Sequence, residues 1–399
     1  MENKKFMILG ASILQLPAIR EAQRMGLTVV AVDMDPDAIG FLEPGVVKEV
    51  ISTIDVSAVV ETAKRHNICG VITVASDMPM RSVAAVAKEM GLIGVSIETA
   101  LKATNKAAMR AAFREHGVAS PLSFRISDKK EYDEIVSRFE SPFIVKPADN
   151  SGSRGIYLVE DLRSLEDVEQ AYAYSQQFSR NGDVVVEEFM VGPEVSVELL
   201  VVNGECHVLQ ITDKLTTGAP HFVEIGHSQP SRLPAEAQEK IRVLAAQAAK
   251  AVGIKNGPGH AEIILTKDGP KMVEIGARMG GGCITTHLVP LSTGVNMTRA
   301  TIQTALGKTP DIKPVFFRGS AIRFILPTEG IVTSITGEQE AAAITGVKEV
   351  AIQCSVGQKI AALENGSGRI GYVIAQADTP EEAIAVCEAA LKKIVIAVK

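Results

Sequence analysis

Two short apolar runs constrain this chain more than any other feature. They are Ala261-Glu262-Ile263-Ile264-Leu265 and Met272-Val273-Glu274-Ile275-Gly276-Ala277-Arg278, and they flank the turn sequence Lys267-Asp268-Gly269-Pro270. Each run reads as a strand carrying one carboxylate in an otherwise hydrophobic setting. Side chains alternate along a strand, so Glu274, Gly276 and Arg278 share one face, as do His260 and Glu262. Paired as a hairpin, the two strands line one floor with two carboxylates, an imidazole and a guanidinium. Two hard oxygen ligands side by side suit Mg²⁺ that is also held by phosphates. Arg278 is then placed to neutralise charge on a transferring phosphoryl or acyl group. The competing reading is a surface hairpin with solvated charges, and the rest of the chain decides between them.

A chain of 399 residues is too long for one small core and suits about two to four subdomains. It has no run of about 18 apolar residues, so no membrane span is expected. The start, Met1-Glu2-Asn3-Lys4-Lys5, has no signal-peptide pattern and leads straight into a strand, which points to the cytoplasm. A net charge of −6 argues against a general nucleic-acid binder. Five cysteines at 69, 206, 283, 354 and 387 include no Cys-x-x-Cys pair and fit reduced thiols.

Phe6-Met7-Ile8-Leu9 reads as a buried strand, 13–25 as a helix, and Thr28-Val29-Val30-Ala31-Val32 as a second strand ending at Asp33. Together they make a βαβ opening of Rossmann type. Further units follow: a helix near 56–66, the strand Val71-Ile72-Thr73-Val74 and a helix near 80–90. Gly10-Ala11-Ser12 lacks the G-x-G-x-x-G fingerprint, because Ser12 stands where backbone must approach a pyrophosphate. That argues against a dinucleotide cofactor despite Asp33.

Downstream, Phe143-Ile144-Val145-Lys146-Pro147 ends an apolar strand on a lysine. The loop Asn150-Ser151-Gly152-Ser153-Arg154-Gly155 follows, of a kind whose backbone N–H groups cradle phosphate. It is not a P-loop. Next come Val184-Val185-Val186-Glu187-Glu188-Phe189 and Gly192-Pro193-Glu194, a strand and connector suited to an adenine edge and ribose hydroxyls.

The order of these parts, rather than any one of them, resembles the ATP-grasp superfamily over essentially the whole chain. The resemblance implies an α/β chain with an N-terminal Rossmann-like pre-ATP-grasp domain at 1–95 and a helical connection at 96–120. A mobile α+β lid at 121–188, the core with the metal and substrate site at 189–310, and a small strand-rich C-terminal cap at 311–399 complete it. Carried over by position, Lys106 and Lys146 would hold the ATP phosphates, with Ser151, Gly152 and Ser153 over them. Glu187 and the backbone of Phe189 would meet adenine, Glu194 the ribose, and Glu262 with Glu274 would bind Mg²⁺, or Mn²⁺ in its place. Many members read Glu-x-Asn where this chain has Glu274-Ile275-Gly276, which leaves a third metal ligand unassigned and open to water or another oxygen.

Within the superfamily, 212–230 and 278–290 resemble carboxylate–amine ligases that join amino acids, the L-amino acid ligase group. This implies Glu224 and His227 near the substrate's amino end, and Arg278 with the Gly280–Gly282 backbone, Gly281 among it, near its carboxylate. His221 and His287 are expected to be ordinary loop histidines. The implied reaction is an ADP-forming ligation of a small-molecule carboxylate and an amine through an acyl phosphate, by an enzyme that pairs as a homodimer. Purine-pathway carboxylase-like and carbamoyl-phosphate-type ligases, and a catalytically silent ATP-binding regulator, are the alternatives.

Overall fold

The computed structural model describes residues 4–139, 142–219 and 222–399. His221 lies outside the described residues. The chain opens with four parallel strands, β1 (Lys5–Leu9), β2 (Thr28–Asp33), β3 (Val47–Val50) and β4 (Val71–Thr73), ordered β3-β2-β1-β4. Phe6 to Leu9 are wholly buried, as continuous apolar strands between helices must be. Helices α1 (Leu16–Arg24), α2 (Val56–His66) and α3 (Met80–Met90) lie between and after these strands.

The first helix starts three residues later than the sequence pattern suggests. Gln15 explains the delay: its Oε1 accepts from the Ser12 N–H at 3.1 Å and its amide donates to the Val74 carbonyl at 2.7 Å. The Asp33 carboxylate is likewise spent on the chain itself, accepting from the Ala11 and Asp35 N–H groups at 2.8 and 3.0 Å.

Helices α4 (Ile97–Thr104) and α5 (Lys106–Glu115) lead to a separate antiparallel sheet of β5 (Ser123–Ile126), β6 (Phe143–Pro147), β7 (Tyr157–Val159) and β8 (Val184–Glu188). Helices α6 (Lys129–Val136) and α7 (Leu165–Gln177) cover it. Its core is its own, built on Tyr132, Phe143, Val145 and Tyr172.

The centre is an eight-stranded antiparallel sheet. Its strands are β9 (Glu194–Val202), β10 (Glu205–Thr216), β11 (Glu224–Gln229), β12 (Gly257–Thr266), β13 (Gly269–Gly276) and β14 (Gly319–Phe324). Beyond β15 (Gly330–Thr336), it takes in β16 (Val347–Ile352) and, after β17 (Lys359–Ile360), β18 (Gly371–Ala377). The order is β13-β12-β9-β10-β11-β14-β18-β16. The segment after 310 thus extends the central sheet with three strands, and only β15, β17 and β19 (Val395–Val398) form a small sheet apart. The reason is visible in β14, whose six residues are all buried between neighbours on both edges.

Helix α8 (Ala235–Val252) covers the central sheet, and one continuous apolar core joins it to the N-terminal strands, α3 and α5. No helix among the described residues is long and apolar enough to cross a membrane. Helix α5 sets Lys106 at the edge of that core. Asn105 accepts from the Ala108 N–H at 2.9 Å, a side-chain N-cap that fixes where the helix begins. Asn105→Ala is expected to lower unfolding stability by about 1 kcal/mol, read from urea melts at neutral pH.

Candidate active site

The hairpin expected from the sequence forms, with a tighter turn than the sequence suggests. Strands β12 and β13 pair antiparallel through Lys267-Asp268, and the register sets Glu262 directly opposite Glu274 and His260 opposite Gly276. Both carboxylates line a cavity of about 300 Å³ together with Lys106, Lys146, Arg278 and Gly281. Ser151, Gly152 and Ser153 close it from the smaller sheet. A second cavity of about 380 Å³ adjoins it, sharing Asp77, Lys106, Asn150, Ser151 and Glu274.

The charges in this space neutralise one another. Lys106 Nζ lies 3.0 Å from Glu274 Oε2 and donates to the Asn150 carbonyl at 2.7 Å. Burial depresses its pKa, but Glu274 outweighs that and leaves it above the usual lysine value. Lys214 is buried among three carboxylates, 2.6 Å from Glu194, 3.2 Å from Glu262 and 3.3 Å from Glu224. Burial opposes its charge, yet the three glutamates hold its pKa well above normal. Burial also works against ionised Glu224 and Glu262, and Lys214 overrides it, keeping both carboxyls below the usual range. Such pairing is required, because an unpaired buried charge is strongly destabilising.

Three residues assigned to the site from sequence are engaged with the chain itself in this structure. The Glu187 carboxylate bonds to the chain's own cations. It is buried and grips Arg110 Nε at 2.6 Å and Lys146 Nζ at 2.6 Å, with Ser123 Oγ donating at 3.1 Å. Burial raises its pKa, but Arg110 and Lys146 bring it down to about 2. The Phe189 N–H is donated to the Pro142 carbonyl at 3.1 Å, and neither Glu187 nor Phe189 lines the two cavities. His227 is fully buried behind the cavity wall, with Nε2 3.5 Å from Glu224 Oε2 and its ring edge-on to Phe324. It backs Glu224 rather than facing the cavity. His287, expected to be unremarkable, sits 3.4 Å from Glu349.

Glycine is needed at two points in the wall. A Cβ on Gly280 would lie 2.6 Å from His260 Nδ1, and one on Gly282, at φ +57°, would lie 3.0 Å from His227 Nε2. The cavity-lining loop residues Gly152 and Ser153 also hold positive φ, +69° and +57°.

Residues absent from the sequence-derived site complete it. Lys214 and Arg369 line the cavity, and Arg369 stacks on Phe324 while its Nη1 stands 3.9 Å from Glu224. Asp77 holds Arg278 through paired bonds of 2.9 and 3.0 Å. Its signal was readable: it follows β4, and ligands of open parallel sheets gather beyond the carboxyl ends of strands. The Lys214 signal, a lone lysine on a half-buried strand, was weaker.

The donor set fits a magnesium–nucleotide complex. Two facing carboxylates offer hard oxygens, and two lysines beside a positive-φ loop offer cationic and N–H donors to phosphates. At the back of the site, His260 Nδ1 lies 2.6 Å from Glu198 and Nε2 lies 3.5 Å from Glu262. Burial disfavours the imidazolium, but Glu198 raises its pKa to about 9, from an ordinary 6.5. Folding therefore favours the protonated form. That contribution is complete below about pH 6.5 and is lost as pH rises through about 9. His260→Asn is expected to flatten the fall in stability over this window, read from urea midpoints between pH 6 and 10.

Comparison with known proteins follows the same lines. Residues 139–287 match the ATP-grasp domain, and 323–399 match the L-amino acid ligase C-terminal domain 2. Alanine–anticapsin ligase of Bacillus subtilis (strain 168) is 28% identical over 236 residues, 53% of this chain and 48% of that protein. The L-arginine-specific L-amino acid ligase of Bacillus subtilis is 25% identical over 263 residues, 65% of this chain and 63% of that protein. The chain thus spans about half to two thirds of the length of these relatives. The crystal structure of an L-amino acid ligase from Bacillus licheniformis superposes with a TM-score of 0.86 at 26% identity, covering 100% of both chains. The chain thus carries an ATP-grasp domain and an L-amino acid ligase C-terminal domain, in a fold that matches a known L-amino acid ligase from end to end.

Proposed function

We propose that this protein is an ADP-forming ligase that joins the carboxylate of an amino acid, or a similar small acid, to an amine. The observation that carries the reading is the cross-strand pair Glu262–Glu274, set in one cavity with Lys106, Lys146, the 151–153 loop and Arg278.

On this reading a substrate carboxylate oxygen attacks the γ-phosphorus of ATP and the bond to ADP breaks, giving an acyl phosphate. The amine nitrogen then attacks the acyl carbon and loses a proton. The carbon–oxygen bond to phosphate breaks, leaving an amide and inorganic phosphate. Phosphorylation converts a poor electrophile into a good one, and the protein supplies position and charge neutralisation.

Lys106 and Lys146 exchange their present carboxylate partners for phosphate oxygens, and the 151–153 loop adds backbone N–H donors. Glu262 and Glu274 hold Mg²⁺, or Mn²⁺, which when bound draws charge off the phosphates. Arg278 and the backbone at Gly281 meet the substrate carboxylate. Glu224 attracts its ammonium group, with His227 fixing Glu224 from behind. Glu194 remains the candidate for the ribose hydroxyls, poised through Lys214. The 121–188 unit, which has a core of its own, closes as a lid and keeps water from the acyl phosphate. The match of 323–399 to an L-amino acid ligase domain favours this reading over carboxylase-like alternatives.

The test is phosphate release from Mg·ATP over a matrix of amino acids, singly and in pairs, with mass spectrometry of each active mixture. Release that needs two components, with a product equal to their sum minus water, is the expected result. A matrix silent throughout, with ATP still bound, overturns the reading. In the active mixture, Glu274→Ala is expected to lower ADP release by roughly 10²–10³-fold while circular dichroism is unchanged.

A further inference from the structure

Gly276 is where the sequence departs from Glu-x-Asn, and its missing side chain has a visible cause. The φ at 276 is not among the positive ones, so the backbone does not demand glycine there. The neighbour does. A Cβ at 276 would lie 2.8 Å from Asp77 Oδ1 and 3.2 Å from Arg278 Cζ. A carboxylate from the N-terminal sheet fills the space that a side chain at 276 would take. It arrives from 201 residues away in sequence from Arg278.

That carboxylate faces the site. Asp77 lines both cavities together with Lys106 and Glu274. Residues 274 and 276 share one face of β13, roughly 7 Å apart along the strand, so Asp77 sits beside the metal-binding position of Glu274. The Arg278 fork donates one bond to each Asp77 oxygen, at 2.9 and 3.0 Å. An ionised carboxylate offers about four acceptor sites, so lone pairs remain for a cation. Mg²⁺ prefers six oxygens, and two glutamates supply only part of that number.

We propose that Asp77 supplies the third protein oxygen of the metal centre, replacing a side chain at 276, so that the N-terminal domain completes a site begun by β12 and β13. The inference rests on the reading of Glu262 and Glu274 as metal ligands. Among the described residues no three acidic, histidine or cysteine side chains already converge as a metal cage. Lys106 and Lys214 at present hold Glu274 and Glu262, and the cage forms as those lysines turn to phosphate.

The experiment titrates the full-length protein, with ADP present, with Mn²⁺ and reads free Mn²⁺ by electron paramagnetic resonance. Asp77→Ala is expected to weaken Mn²⁺ binding about tenfold or more. Gly276→Ala, which pushes Asp77 aside without removing it, is expected to weaken it too. The double variant Asp77→Ala with Gly276→Asn, which removes the Asp77 clash, frees Arg278 to shift the few tenths of an ångström a Cβ needs and restores an oxygen on β13, is expected to recover most of the affinity. Mn²⁺ affinity equal to wild type in Asp77→Ala, alongside a reduced kcat, overturns the proposal and leaves Asp77 as a positioning residue for Arg278. Should Asp77→Ala fail to fold by circular dichroism, wild-type affinity in Gly276→Ala overturns it instead. Glu274→Ala is the control: if it also binds Mn²⁺ normally, the metal reading itself fails.

Discussion

The buried lysines of this site are each set against a carboxylate, and the arrangement of the chain follows from that need. Removing an ion from water costs several kcal/mol even after relaxation, so each buried lysine must find a carboxylate and each carboxylate a cation. Lys214 answers three glutamates from three strands. Lys106 answers Glu274, and Lys146 shares Glu187 with Arg110. On the proposed reading, binding is an exchange of partners. Phosphates take over the lysines while the metal takes over the glutamates, and the charge balance survives.

The same pairs tie the subdomains together. Arg110 lies on α5 and Glu187 on the smaller sheet, and Arg110 Nη2 also donates to the Val273 carbonyl of β13 at 2.7 Å. Asp77 joins the N-terminal sheet to Arg278, just past β13. Ala75, at φ +62°, donates its N–H to the Met279 carbonyl at 3.1 Å and carries the chain across that junction. Strained backbone of this kind persists only where surrounding contacts over-determine it. The site is therefore built at the meeting of three parts, and none of the three contains it alone.

Much of the fold and part of the site were legible from local patterns. The alternation in 260–278 placed Glu262 and Glu274 on paired strands because side-chain period and turn position leave little other choice. The apolar runs at 6–9 and 28–33 and the helix Ala235–Val252 were equally plain, since each is a local periodicity. Glu187, the Phe189 backbone and His227 were assigned by position along the chain, and position does not say which partner a side chain or an N–H will meet. Glu187 turned out to be taken by Arg110, 77 residues earlier, and His227 to be shielded by the wall around Gly282.

Sequence by itself displayed the residues proposed to carry the chemistry: paired glutamates in apolar strands, two lysines, a small glycine-bearing loop and an arginine before a glycine run. Those are choices of residue type at short spacing, and short-range geometry fixes their local display. Only the tertiary structure decided their partners. It set Lys214 among three glutamates, put Asp77 in the space at Gly276, and made the C-terminal strands part of the central sheet. Such pairings depend on which distant surfaces meet when apolar faces are buried, and a buried charge accepts whatever counter-charge that packing brings within reach.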